Sequence, residues 1–335
     1  MIWYNQDIGS KNSNVSYKIL DFNTTRGEEL LKNKDKKVIA ADLSLLLVAF
    51  FWGGGFVAVK DAISSITPFY MLAIRFGVSG LLISMFCWKK LKDIKKEDIK
   101  TGIFIGVFLF LAFSAQTIGA MYTTAGKQAF LTGVNVVIVP FLGWIFYRDR
   151  LDIYSVIASI LCFVGIGFLT LKNGSSINIG DILTLICAVL FAAHITLVGH
   201  HAKQIDTIVL TITQMLTTSV LALLCALIFE PFPKAIPSNA YSSMAYMIVF
   251  STMLGFSIQT IAQKYTTASH ASLILCLESV FGSILAVIFL GDIFTPNMIV
   301  GCILILIGII IAETKLEFLS YRGVGKYIKR IFADV

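Results

Sequence analysis

QTIGAMYTTA at residues 116–125 returns as QTIAQKYTTA at residues 259–268, 143 positions later, with seven of ten positions identical. Extended without a gap, 116–167 against 259–310 keeps sixteen identities in 52 positions, including Val137/Val280, Phe146/Phe289, Asp149/Asp292 and Gly165/Gly308. Upstream the likeness weakens but persists. ITPFYMLAIRF (66–76) lies over IDTIVLTITQM (205–215), pairing Arg75 with Gln214. LSLLLVAFFWGGGFVAVK (43–60) lies over LTLICAVLFAAHITLVGH (183–200), pairing Trp52 with Ala192. The chain is built from two related halves.

The medium in which those halves fold follows from composition. Of 335 residues, 57% are hydrophobic and only 14% charged, with a mean hydropathy of +0.83, far too apolar for an ordinary soluble domain. A bilayer-spanning helix needs ~20 apolar residues. Ten stretches qualify: 42–60, 68–88, 101–121, 125–147, 152–171, 181–199, 207–229, 241–262, 269–290 and 296–313, numbered here as spans 1 to 10. They are too long for strands. The expected fold is an all-α polytopic membrane protein of ten transmembrane helices, in two five-helix repeats (42–171 and 181–313) flanked by tails at 1–41 and 314–335. Five is odd, so the second repeat enters the membrane from the opposite face, giving inverted repeats of the kind found in many secondary transporters.

The net charge of +7 invites a nucleic-acid reading, but 22 of the 27 lysines and arginines fall on one side of the ten-span arrangement. That bias assigns both termini and the run KKLKDIKKEDIK (89–100) to the cytoplasm, next to anionic lipid, and argues against nucleic acid. The residues 315–335 alternate bases with apolar residues and are expected to lie along the inner membrane surface or to be disordered. All six cysteines lie in or at the edges of spans without a CxxC pair, reading as packing residues. His200–His201 has no third ligand nearby, so no metal is expected, nor any other cofactor.

Ionisable and amide side chains inside the spans mark the candidate site. Glu278 lies ten residues past Ala268, roughly 15 Å into the ~30 Å hydrocarbon core, and its repeat mate Asn135 is equally deep from the other face. Structural gluing between helices is the competing role for both. Arg75 sits about 10 Å below the outer face, too deep to snorkel. Glu278 is the deep carboxylate available to it, either as a permanent ion pair or as one that opens when substrate or a proton replaces a member. Trp52, Gln116, His194, Gln214 and Gln259 complete the set of candidate lining residues, each of which could instead bridge helices. Gly53, Gly54 and Gly55 in FWGGGF cost about 1 kcal/mol each against alanine in a helix, which suits either close helix packing or a backbone that substrate approaches or that flexes. Tyr122 and Thr124 at the outer end of span 3, and Tyr265 and Thr267 at the inner end of span 8, are either inherited turns or matched hinges. Pro140 is expected to kink span 4, and Gly102-xxx-Gly106 to pack against a neighbouring helix.

FFWGGGFVAVK in span 1, ITPFYMLAIRF leading span 2 and the paired blocks of spans 3–4 and 8–9 together resemble the ten-helix, EamA-type exporters of the drug/metabolite transporter superfamily. The resemblance covers about 42–313. ASLILCLESVFGSILAVIFLGD is similar to that family's ninth helix, with Glu278 at its glutamate position and Asp292 as the terminal acid. Ser279 stands where the family often has proline. The resemblance implies export or exchange of amino acids, metabolites or small toxic compounds across a bacterial inner membrane. The function expected is therefore a secondary transporter with a central cavity, acting on a small-molecule substrate with proton or counter-substrate coupling, as a monomer or weak homodimer. A membrane sensor or an intramembrane enzyme is the alternative. No HExxH, GxSxG or Walker-type loop supports enzymatic or ATP-driven chemistry.

Overall fold

A computed structural model describes residues 9–123, 125–170, 178–232, 240–290 and 296–314. The expected hinge residue Thr124, the acid Asp292 and the segment 315–335 lie outside the described residues. Ten apolar helices follow one another: α1 (Lys36–Ala62), α2 (Pro68–Phe86), α3 (Lys96–Tyr122), α4 (Leu131–Tyr147), α5 (Ile153–Phe168), α6 (Ile179–His201), α7 (Thr207–Phe229), α8 (Ala240–Ala262), α9 (Ala268–Phe289) and α10 (Ile299–Ala312). Seven are long and apolar enough to cross a membrane, while α4, α5 and α10 are shorter. The helix containing α1 begins further upstream, at Gly9. No strand occurs among the described residues. This is an all-α, multi-pass membrane protein.

The packing repeats with the sequence. α2 lies on α7, α4 on α9 and α5 on α10, so each of these helices meets its own repeat mate. α3 packs on α6 as α8 packs on α1, and α6 packs on α4 as α1 packs on α9. Side chains such as Leu81, Phe104, Ile186, Leu227 and Ile303 are exposed on the outside, an apolar surface facing lipid. Since lipid is as apolar as the helices, their association depends on close packing and interhelical bonds. Small residues supply the close packing. A Cβ on Gly119 would lie 3.1 Å from the Gly180 carbonyl, and one on Gly180 only 2.7 Å from that of Gly119, so α3 and α6 touch through backbone. Gly102 and Gly106 do pack closely, against Thr213 and Thr217 of α7. Glu230, at the end of α7, accepts from Thr67 Oγ1 (2.7 Å) and from the backbone N–H groups of Phe69 (2.8 Å) and Tyr70 (3.0 Å), satisfying donors that the first turn of α2 leaves unpaired.

Three interruptions shape the interior. The helical segment Ala125–Gly133 ends at Val134, and Asn135–Tyr147 continues α4. In α9, Ala268–Leu275 ends at Cys276–Leu277 before the segment beginning at Glu278. Both breaks carry the same tightened i→i−3 bond, Val134 N–H to Leu131 C=O (3.3 Å) and Leu277 N–H to Ile274 C=O (3.1 Å), and these pairs are repeat mates. In α9 that tightening takes Leu277 N–H from its ordinary acceptor, Leu273 C=O, which accepts instead from the Cys276 thiol (2.9 Å). The break thus forms with serine rather than proline at position 279. Pro140, expected to kink span 4, lies inside the helical segment Asn135–Tyr147, and the break in the helix lies upstream at Val134. The third irregularity is a π-helical stretch in α8, Met247–Leu254, closed by Gly255 N–H to Phe250 C=O. α3, its repeat mate, is an uninterrupted α-helix.

Candidate functional site

Between the two halves lies a cavity lined from α1, α2, α3, α4, α6, α8 and α9. Seven of the eight candidate lining residues border it: Trp52, Arg75, Gln116, Asn135, His194, Gln259 and Glu278. Gln214 does not; it stands one layer behind, with its Oε1 2.8 Å from His194 Nε2. Aromatic walls come from Phe56, Phe113, Phe191 and Phe256. The cavity is therefore amphipathic, with a guanidinium, a carboxyl, several amides and an imidazole among rings.

Arg75 is 3% exposed, so its bonds decide whether it can remain inside the membrane. The ion pair expected with Glu278 is not found among the described residues. Arg75 Nε donates to Thr252 Oγ1, and a terminal nitrogen donates to Ser251 Oγ (2.9 Å). Its guanidinium carbon also sits 4.7 Å from the Phe113 ring centre, a cation–π contact. The π-helical stretch presents these hydroxyls and leaves the Ser251 carbonyl to accept from Trp52 Nε1 (2.9 Å). The Ser79 hydroxyl, one turn after Arg75, lies 2.7 Å from both Arg75 C=O and Ile248 C=O and shares its one proton between them, holding α2 against the same stretch. Two hydroxyls and a ring replace the carboxylate as the cation's partners, so Glu278 keeps its place in the cavity wall without being tied to Arg75.

The three adjacent glycines divide between the two roles considered. A Cβ on Gly53 would meet Gly282 N at 2.7 Å and Glu278 C=O at 2.9 Å, and one on Gly54 would meet the Tyr246 hydroxyl at 2.3 Å. Those two permit α1 to pack against α9 and α8. Gly55 borders the cavity and faces Ser251 Oγ.

The repeated turns occupy opposite ends of the bundle. At the end away from the chain termini, Thr123 Oγ1 donates to Asp181 Oδ1 (2.7 Å), joining the first repeat's turn to the first helix of the second repeat. At the terminal end, His270 Nε2 lies 3.1 Å from Asp42 Oδ1, joining the second repeat's turn to the first helix of the first repeat. Thr267 caps α9, accepting from His270 N–H (3.2 Å). Tyr122 and Tyr265 are both exposed, the latter with Lys37 5.9 Å from its ring centre.

Sequence reasoning overlooked Gln128, Thr132 and Ser251 in the cavity wall and Thr252 behind Arg75. Gln128, Thr132 and Asn135 are spaced four and three residues apart, a single helical face that the sequence does display. Gln128 Nε2 donates to Gln116 C=O, and Gln116 Nε2 lies 3.4 Å from Thr132 Oγ1. No comparable pattern flags Ser251–Thr252, which matter only because the π turn rotates them toward α2.

Residues 39–171 and 178–314 each match the EamA-like transporter family. An uncharacterized transporter of Archaeoglobus fulgidus is 35% identical over 279 residues, covering 83% of this chain and 87% of that protein. The uncharacterized transporter YoaV of Bacillus subtilis is 24% identical over 275 residues, covering 80% of this chain and 94% of the other. A solved crystal structure matches with a TM-score of 0.70 at 16% identity, covering 82% of this chain and 96% of its own, a likeness of fold alone. The chain belongs to the EamA-like transporter family.

Proposed function

We propose that the protein is a secondary transporter rather than an enzyme, carrying a small organic solute across a bacterial inner membrane by alternating access. Both termini lie in the cytoplasm, as the distribution of lysine and arginine favours. The observation that carries the reading is the cavity itself. It lies where the halves meet, and its repeat-matched residues Asn135 and Glu278 each begin the helical segment after a break. Interrupted helices facing a central site are the usual way for a transporter to expose polar backbone within a membrane.

Thr123–Asp181 and Asp42–His270 are the two latches of this cycle. Each joins one repeat to the other, one at each end, so opening either would admit solvent from that side while the other stays closed. Gly55, Tyr122, Thr124, Tyr265 and Thr267 lie in or beside the elements that would move. Glu278 and Arg75 bind or couple: Glu278 accepts a proton or a cationic group, and Arg75 offers its remaining N–H donors to an anionic one.

Counterflow in proteoliposomes with labelled amino acids and small metabolites tests the reading. Saturable exchange of at least one solute, reduced tenfold or more by Glu278→Gln, is the expected result. Binding without flux for every solute would make the protein a sensor, and release of a chemically altered product would make it an enzyme. Full transport by both Glu278→Gln and Arg75→Gln would remove the cavity from the mechanism.

A further inference from the structure

The polar groups bordering the cavity differ in whether the protein already satisfies them. Gln259 is 0% exposed, and neither its Nε2 nor its Oε1 has a hydrogen-bond partner. His194 is 1% exposed, and its Nδ1 is likewise without a partner. Leaving a buried donor or acceptor unpaired is costly. Both residues border the same cavity, so a group bound there can pair with these atoms.

The chemical sense of each atom follows from a relay of fully buried residues. The Thr260 hydroxyl donates its one proton to Phe256 C=O (2.7 Å), so toward Gln214 it can only accept. The Gln214 side-chain NH₂ accordingly faces Thr260 Oγ1 (3.4 Å), which turns Gln214 Oε1 toward His194 Nε2 (2.8 Å). An oxygen there requires an N–H on Nε2. The neutral imidazole then keeps an unshared pair on Nδ1, as an acceptor. The open set is two acceptors, His194 Nδ1 and Gln259 Oε1, and the Gln259 Nε2 group with its N–H donors. An ammonium would leave the donors idle, and a carboxylate would leave both acceptors idle. A primary carboxamide, with two N–H donors beside one carbonyl oxygen, matches the set.

We infer that His194 and Gln259 form a neutral recognition subsite for the carboxamide or ureido group of the transported solute, with Gln214 and Thr260 as positioning residues that fix the histidine tautomer. This rests on the transporter reading for the word transported, but the subsite is tested by binding alone. Phe113, Phe191 and Phe256 would flank the rest of such a solute.

Nicotinamide, nicotinate and 3-acetylpyridine share one ring and differ only in carboxamide, carboxylate or methyl ketone; glutamine and glutamate make the aliphatic pair. Titration calorimetry and thermal stabilisation of the purified full-length protein measure the preference. At least one amide should bind tenfold or more tightly than its acid and ketone counterparts. Gln259→Glu and Gln259→Leu should both remove that preference, and the isosteric glutamate variant guards against simple misfolding. Gln214→Leu should lower the amide-to-ketone ratio severalfold, whereas Gln214→Glu, which still accepts from Nε2–H, should restore most of it. A purely structural Gln214 would change stability without changing the ratio. Equal affinity across the three pyridines, binding of no amide, or an unchanged ratio in Gln259→Leu overturns the inference. Selective binding without counterflow would keep the subsite and sink the transporter reading instead.

Discussion

α4 and α9 occupy matched places in the two halves and break at matched residues, yet they distribute polarity differently. Along α4 and the helical turns leading into it, three neutral polar side chains (Gln128, Thr132 and Asn135) border the cavity. In α9 the residues aligned with Gln128 and Thr132 are Ala271 and Leu275, both buried in apolar clusters, and the polarity is concentrated in the carboxyl of Glu278. The breaks are finished differently too. The Cys276 thiol satisfies the freed carbonyl in α9, while the aligned residue in α4 is Gly133, packed against Ile166. Duplication supplied two equivalent positions, and divergence made one a neutral, distributed hydrogen-bonding wall and the other a single ionisable group.

The strongest challenge to this contrast lies in the packing behind each helix. Gly53 brings α1 against the backbone of α9 at Glu278 and Gly282, whereas α6 carries Ala193 at the aligned position. Gly53→Val should destabilise the fold by ~3 kcal/mol because backbone, not a flexible side chain, stands in the way. Ala193→Val should cost a fraction of that. Thermal unfolding in detergent measures both, and equal losses would erase the difference between the two supports.

A second experiment asks whether the two polar positions are interchangeable. Glu278→Gln should reduce counterflow at least tenfold, and Asn135→Ala about fivefold, since a net hydrogen bond contributes ~1 kcal/mol. The exchanged double variant, Asn135→Glu with Glu278→Asn, should stay as impaired as Glu278→Gln. Recovery to wild-type flux would show that position does not matter and that only the presence of a carboxyl does.

Smaller effects are expected at the latches. Thr123→Val removes the hydroxyl that reaches Asp181, and His270→Phe removes the nitrogen that reaches Asp42. Each should change side-specific thiol labelling of a cysteine placed in the cavity wall about two- to fivefold, the size of a bond worth ~0.5–1 kcal/mol. The two variants should favour opposite faces. Changes toward the same face would separate these turns from gating.

The smallest effect belongs to a contact outside the spans. Lys90 pairs with Asp206, which also caps α7 by accepting from Ile208 N–H (2.9 Å). Partial burial of Asp206 works to raise its pKa, but the hydrogen bonds from Lys90 and the backbone outweigh it and hold the carboxyl below its usual value. A depressed folded-state pKa gives stability that is present at neutral pH and is lost as pH falls through that value. Unfolding midpoints of wild type and Lys90→Ala should differ slightly at neutral pH and converge in acid. Divergence in acid would reverse the sign of the contribution.

Much of the cavity was legible in the sequence because burying a polar group in lipid is costly wherever the helix happens to pack. Arg75, Asn135, His194, Gln259 and Glu278 stand out in their spans for that reason, and all border the cavity. Gln214 stands out equally, but its rotation on α7 places it behind His194. The same depth argument paired Arg75 with the available carboxylate, because charge is visible in a sequence and a rotated hydroxyl is not.

The sequence by itself marked out ten apolar stretches in two related halves, and an odd number per half implies that the second is inverted. Hydropathy adds up along a chain and parity follows from counting, so neither depends on which side chains meet. Tertiary structure alone decided that Ser251 and Thr252, 176 and 177 positions away, hold Arg75, that α9 breaks without a proline, and that Gln214 bonds to His194 instead of bordering the cavity. Each of these depends on how one helix is rotated against another, and a single π turn or i→i−3 bond changes that rotation without altering hydropathy or length.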